Sequence, residues 1–407
     1  MRKQVDVPEL LARQEVATPT YPRLAHAIVT SRIRDLGGLP YPLQFRNQDA
    51  LPKWREAMLG TSSWNFWSDP GASCHDVRSD IRWHIDCIAE TIADPAMAEN
   101  WLQNTRLAPL ECSTNLVYAL RKGMLIEATP ALDSLLLNSD IDRELPLSML
   151  ALPYPAQYIR FGDDVARAIK LPDCPDPGNK FDGVFCFRTP PSSGPDGYPF
   201  CRLEFVFIAV AGGRYLGHIS LLGKVENEDM PVMAWLTGIL AHDPGMLSAG
   251  NTASIRSALD YVAKLLLYLG LKNARIAERD EYSAGLERLK GVGTKKHSRH
   301  SHRLARRYDR IEVGPERLDI PEATGGVGAG VAPHWRRGHF RLQPCGQGRQ
   351  ERKTIYILPV LVHGRELSDA PQPKDYRISI PANTMRTNRP SAAVAPANHK
   401  LMEAENG

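Results

Sequence analysis

The sequence has no stretch of the roughly 18–20 consecutive apolar residues that a membrane-spanning helix needs. Its longest apolar runs, Val262–Leu271 and Leu203–Ala211, are shorter and carry Lys264 and Glu204. The N-terminal MRKQVDVPELLARQ lacks the apolar segment of a secretory signal. Cysteine is sparse: Cys74, Cys87, Cys112, Cys174, Cys186, Cys201 and Cys345 make an odd 7, with no close pairing in spacing. That excludes a disulfide framework and points to free thiols in a reducing compartment. A cytoplasmic protein with no membrane partner is the expectation. Net charge is also small, +4 over 407 residues.

What the chain does have is an uneven distribution of that charge. Residues 288–353 hold 16 Lys/Arg against 6 Asp/Glu, a local +10, and the remaining 341 residues carry −6. A mildly acidic body with one strongly basic region suggests a polyanionic partner. At roughly 150 residues per domain, the length allows two or three domains.

Residues 1–130 read as a helical region. Ile81, Ile85, Ile88 and Ile92 recur at helical spacing, and Pro95 ends or kinks that helix. In the next run, Met97–Asn104, the residues Met97, Trp101 and Leu102 are expected to turn inward. Trp54, Trp64, Trp67 and Trp83 read as packing between helices. Residues 131–287 form the expected α+β core domain. Phe181–Gly223 is rich in β-branched and aromatic residues, with a hairpin turn at Gly212-Gly213, and predicts an antiparallel sheet. The repeat of Ile255, Leu259, Val262, Leu266 and Leu269 predicts a covering helix over about 254–278. Asp140, Asp142 and Glu144 read as a solvated acidic turn, because a hard-cation loop adds more oxygen ligands and a sharp glycine turn.

Residues 288–332 read as a basic flexible linker. Lys295, Lys296, Arg299, Arg303, Arg306, Arg307 and Arg310 are too dense in like charge to pack, and they are candidate nucleic-acid contacts. His297, His300 and His302 lack the cysteine or carboxylate support of a zinc site. The glycine-rich 324–331 has neither phosphate-loop spacing and reads as a connector. Residues 333–382 follow as a small β-rich module, and 383–407 as a disordered tail.

The most informative stretch is Pro333–Gly364. His334, Trp335, Arg336, Arg337, His339, Phe340 and Arg341 lie within eight residues. Gly346-Gln347-Gly348 turns the chain, and Lys353–Val362 returns as an apolar strand, so a hairpin with a cationic, aromatic face is expected. Guanidinium forks grip phosphate and aromatic rings stack on bases, chemistry suited to RNA. With Arg349 these are the candidate binding residues. His334 and His339 are candidate proton carriers for a metal-independent ribonuclease. His334, His339 and Cys345 match no common zinc spacing, so no metal is expected, and nothing points to a cofactor. A non-specific DNA clamp is a third reading of the basic region.

The block PHWRRGHFRLQ…GQGR…IYILPVLVHG resembles the C-terminal signature of a group of phage- and plasmid-encoded proteins. That group includes the type V-A anti-CRISPR that suppresses production of the type V-A effector nuclease. Leu145–Gly162 and Leu259–Asn273 are similar in texture to two further stretches, in the same order. Phe340, Leu342, Cys345 and Gln347 depart from the residues common at those places. The resemblance implies a regulator, not an enzyme. Such a regulator recognises the effector's nascent polypeptide and brings about loss of its mRNA, with RNA or the ribosome as partner. The fold expected overall is α+β: a helical N-terminal region, a central antiparallel sheet with its covering helix, and a small basic β-rich C-terminal module.

Overall fold

The computed structural model describes residues 21–362 apart from 34, 36, 151, 172–177, 194–198, 242–248, 292 and 318–333. Cys174, the glycine-rich 324–331 and the tail 383–407 lie outside the described residues. The fold is α+β. Its thirteen described strands are β1 Met124–Ala128, β2 Ser139–Ile141, β3 Ala156–Arg160, β4 Asn179–Arg188, β5 Ser192–Ser193, β6 Pro199–Ala211, β7 Arg214–Val225, β8 Ile276–Asp280, β9 Asp309–Val313, β10 His334–Arg336, β11 Gly338–Cys345, β12 Glu351–Ile357 and β13 Val360–Val362.

Eight of these make one sheet, in the order β5-β6-β4-β3-β1-β9-β8, with β7 paired to β6. The expected antiparallel sheet is its larger half: β3, β4, β6 and β7 pair antiparallel in sequence. Beyond them the sheet becomes mixed, because β1 runs parallel to both β3 and β9. Gly212 and Gly213 form the β6–β7 turn with φ of 55° and 82°, a left-handed pair that suits a two-residue hairpin.

Both faces of the sheet are covered, where the sequence pattern suggested one covering helix. Along β6, Leu203, Phe205, Phe207 and Ala209 face one apolar core, and Val206, Ile208 and Val210 face another. Burial on both sides is why these strands read as unbroken apolar runs instead of alternating ones. The N-terminal helices fill the second core through Trp54, Trp67, Ile81 and Ile85. Trp54 and Trp67 meet edge to face at 5.6 Å, a favoured packing geometry for aromatic rings. The Ile81 helix, Cys74–Thr91, starts with a capping box between Ser73 and Asp76. Pro95 then opens the next helix at its first turn, with Asp94 capping it. In that helix Trp101 is half-buried and bonds the Ile85 carbonyl at 3.1 Å. Met97 and Leu102, expected to face inward, are exposed at 62% and 36%.

On the other face the covering helix is Ala249–Leu269, nine residues shorter at its C-terminal end than the sequence reading gave. Leu269 is followed by Gly270, and Ile276–Asp280 pairs as edge strand β8 against β9. Lys264 on this helix is buried, its ammonium 2.6 Å from Asp260 one turn earlier.

The described part of the expected flexible linker is folded. Thr294–Leu304 is a helix, and Asp309–Val313 is strand β9 inside the main sheet. Ile311 and Val313 are buried, so a region basic on average hides two apolar anchors.

Candidate nucleic-acid interface

Two basic surfaces emerge, built differently. The first is the hairpin. Strands β11 and β12 pair antiparallel from His339↔Ile357 to Cys345↔Glu351. Gly346 and Gly348 turn the chain with φ of 77° and 66°, values that favour glycine. The hairpin is not a free module. Strand β11 also runs parallel to β2, with His339 opposite Asp140, so a segment 199 residues upstream completes a three-stranded sheet.

That docking sorts the side chains by parity. Gly338, Phe340 and Leu342 turn toward the body. Phe340 is fully buried in the main core, its ring 4.7 Å from that of Tyr356. It is therefore not available to stack on a base, which corrects its place among the candidate contacts. The Tyr356 hydroxyl shares a 2.6 Å hydrogen bond with Ser139 and reaches the Leu135 carbonyl at 3.3 Å. A Cβ on Gly338 would stand 2.8 Å from the Tyr356 hydroxyl and 2.9 Å from both Ser139 Oγ and Pro359 Cδ, so glycine permits the close approach.

The outward side holds Arg337, half-buried His339 and exposed Arg341. Arg337 lies 3.5 Å from Asp140, and both are largely exposed, so this pair contributes little to stability. Arg349 is exposed at the turn, with a positive φ of 58°. Strand β10 pairs with β13, placing His334, Trp335 and Arg336 opposite Val362, Leu361 and Val360. The side chains of these three residues lie outside the described residues. The candidates His334 and His339 therefore stand on different strands, with Ile357 and Asp140 as the register neighbours of His339.

The second surface is the helix Thr294–Leu304. It packs against the helix Glu281–Lys290, where Leu304 lies against Gly285. Its C-terminal end is held by the N-terminal region: Arg46 donates to the Arg307 carbonyl at 3.2 Å and Asn47 to the Ala305 carbonyl at 3.4 Å. Arg46 also sits 4.0 Å over the Tyr282 ring, and burial draws its pKa down. These anchors explain how a run of like charge can be helical: its backbone is tied while its cations stay outside. His297, Arg299, His300, His302 and Arg303 are exposed, and so are Arg306 and Arg307 just beyond the helix. The side chains of Lys295 and Lys296 lie outside the described residues.

Arg310, the last cation of the run, is engaged. It bonds Glu127 at 3.1 Å and Glu281 at 2.8 Å, beside Arg160 and Tyr308, which also hold Glu127. The contrast separates cations that build the sheet from those that stay in solvent.

Arg288 is a member of this second surface that the sequence reading passed over. With His300, Arg303 and Arg307 it rims a groove between the two helices. The signal was present in the sequence: His300, Arg303 and Arg307 recur at steps of three and four, one face of a helix. Among the described residues, no group of three His, Cys, Asp or Glu is placed to hold a metal ion. No described helix is long and apolar enough to cross a membrane.

The family model of the AcrVA2-like proteins, described as the anti-CRISPR type V subtype A2 family, matches residues 126–364. A solved structure titled "Crystal structure of AcrVA2" is similar at 15% identity, covering 77% of this chain and 98% of that chain, with a TM-score of 0.36. No curated protein matches. The family match takes in more than half of the chain, from β1 through the sheet, the basic helix and the hairpin, and the chain belongs to the anti-CRISPR type V subtype A2 family.

Proposed function

We propose that the protein is a mobile-element inhibitor of type V-A CRISPR immunity that acts where the effector is made. The body recognises the effector's polypeptide during translation, and the cationic surfaces hold the RNA or ribosome from which it emerges. Lowered effector mRNA or protein is the outcome. The observation that carries this reading is the family match combined with the exposure of the cations. Arg299, Arg303, Arg306, Arg307 and Arg341 all stay in solvent, although the segments bearing them are anchored in the fold. Exposed guanidiniums on a held backbone suit phosphate binding, whereas cations used for packing are paired, as Arg310 is.

Co-purification with translating ribosomes tests the reading. Association should fall as salt rises and should drop when Arg336, Arg337 and Arg341 are changed together to Ala. Unchanged association of that triple variant across the salt series would count against it.

A further inference from the structure

We infer that the groove between the helices Glu281–Lys290 and Thr294–Leu304 is a binding site for the backbone of single-stranded RNA. This inference rests on the proposed function, and it adds a place and a ligand chemistry. The groove encloses about 280 Å³. Its floor is apolar, made by Gly285, Leu289 and Leu304. Its rim carries Arg288, His300, Arg303 and Arg307, and no acidic residue lines it. All four rim residues are exposed.

The rim arginines differ from those that hold the fold together. Arg32, Arg78, Arg160, Arg202, Arg279 and Arg310 each have a carboxylate within 3.1 Å. Among the described residues, Arg288, Arg303 and Arg307 have none within ion-pair distance. Three unpaired guanidiniums around one concavity repel each other until an anion enters, and screening by salt weakens that anion's hold.

The geometry favours a strand of RNA over other polyanions. The space between two packed helices admits a nucleotide, not a duplex about 20 Å across. A sugar or base can lie on the leucine floor while its phosphates meet the guanidiniums, the combination that sequence-tolerant single-strand binders use. An acidic peptide needs partners for its own backbone N–H and C=O groups, and leucine side chains supply none.

The test compares two triple variants of the full chain that remove equal charge. One is Arg288→Ala, Arg303→Ala and Arg307→Ala; the other, off the groove, is Arg82→Ala, Arg106→Ala and Arg256→Ala, exposed cations that belong to neither basic surface. Binding of a labelled single-stranded RNA 12-mer is measured across a salt series, with a poly-glutamate peptide as competitor. Circular dichroism and a melting curve show that each variant is folded.

The groove variant should lose about a hundredfold in affinity, and its salt slope should flatten by about 2, at roughly 0.7 per lost contact on a single strand. The off-groove variant should lose less than about fivefold. Equal losses in both would mean a diffuse basic surface and overturn the site. Displacement of RNA by poly-glutamate at equal charge concentration would overturn RNA as its ligand.

Effector synthesis in cells is read separately. If the groove variant loses RNA binding but still suppresses the effector, the site stands and the translational reading fails. If both are lost, both stand.

Discussion

The hairpin and the basic helix have nearly the same chemistry on paper and opposite fates in the fold. Each packs arginine and histidine into a short run. In the hairpin, alternate residues are committed to the core, and Phe340 is as buried as any residue in the protein. The basic helix gives up only Leu304 among the residues whose side chains are described and keeps its cations in solvent. Charge density along a chain therefore does not measure charge available to a partner. The comparison is decided by which side chains the neighbouring elements claim.

If this contrast holds, substitutions in the hairpin's inner face cost stability and those around the groove cost binding alone. The largest effect belongs to Phe340→Ala, expected to destabilise by about 3–5 kcal/mol in denaturant unfolding, as for other buried aromatic truncations. A loss under about 1 kcal/mol would show that the hairpin is not seated on the core.

Next is a pH effect beneath the hairpin. Asp133, on the Pro130–Leu137 helix whose Leu135 carbonyl receives Tyr356, is buried and accepts a 2.6 Å hydrogen bond from Tyr261. Burial pushes its pKa up to about 7, outweighing that hydrogen bond, which favours the ionised form. A raised carboxyl pKa means the folded state holds the proton more tightly than the unfolded chain, where the value is about 3.9. The stabilisation is full below about pH 4 and is lost as pH rises through about 7. Its size is on the order of 3 kcal/mol. Melting curves of the wild type and Asp133→Asn between pH 4 and 9 should converge at low pH, apart from a constant offset. A parallel pair of curves throughout would refute this assignment.

Gly338→Val should follow, costing about 1–3 kcal/mol, because the added atoms meet Tyr356, Ser139 and Pro359 together. The smallest effect is expected for Arg303→Ala, within about 0.5 kcal/mol in thermal unfolding, as for other exposed substitutions free of special contacts. A larger destabilisation would mean that the groove arginines build the fold.

The hairpin was legible in the sequence because strands of period two meet at a Gly-x-Gly turn. Which face points inward was not legible. That choice belongs to β2, whose three residues carry no strand signal of their own and lie 199 positions away. The helical pattern of Ile81, Ile85 and Ile88 and the hairpin at Gly212-Gly213 rest on local rules and match the fold. Strand β9 illustrates the opposite case. Five residues, DRIEV, become an interior strand because β1 and β8 offer partners on both sides, information absent from the segment itself. In sequence the basic helix reads as flexible for a sound local reason, its like-charge repulsion. The contacts that overcome it, Gly285 with Leu304 and Arg46 with the Arg307 carbonyl, come from distant parts of the chain.

Translational inhibition is tested most directly by measuring type V-A effector protein and effector mRNA in the same cells. Those cells express either the intact chain or the Arg288, Arg303 and Arg307 triple alanine variant. The intact chain should lower both quantities, and the variant, equally abundant and equally folded, should restore both. Effector activity blocked by the intact chain with protein and mRNA levels unchanged would contradict translational inhibition.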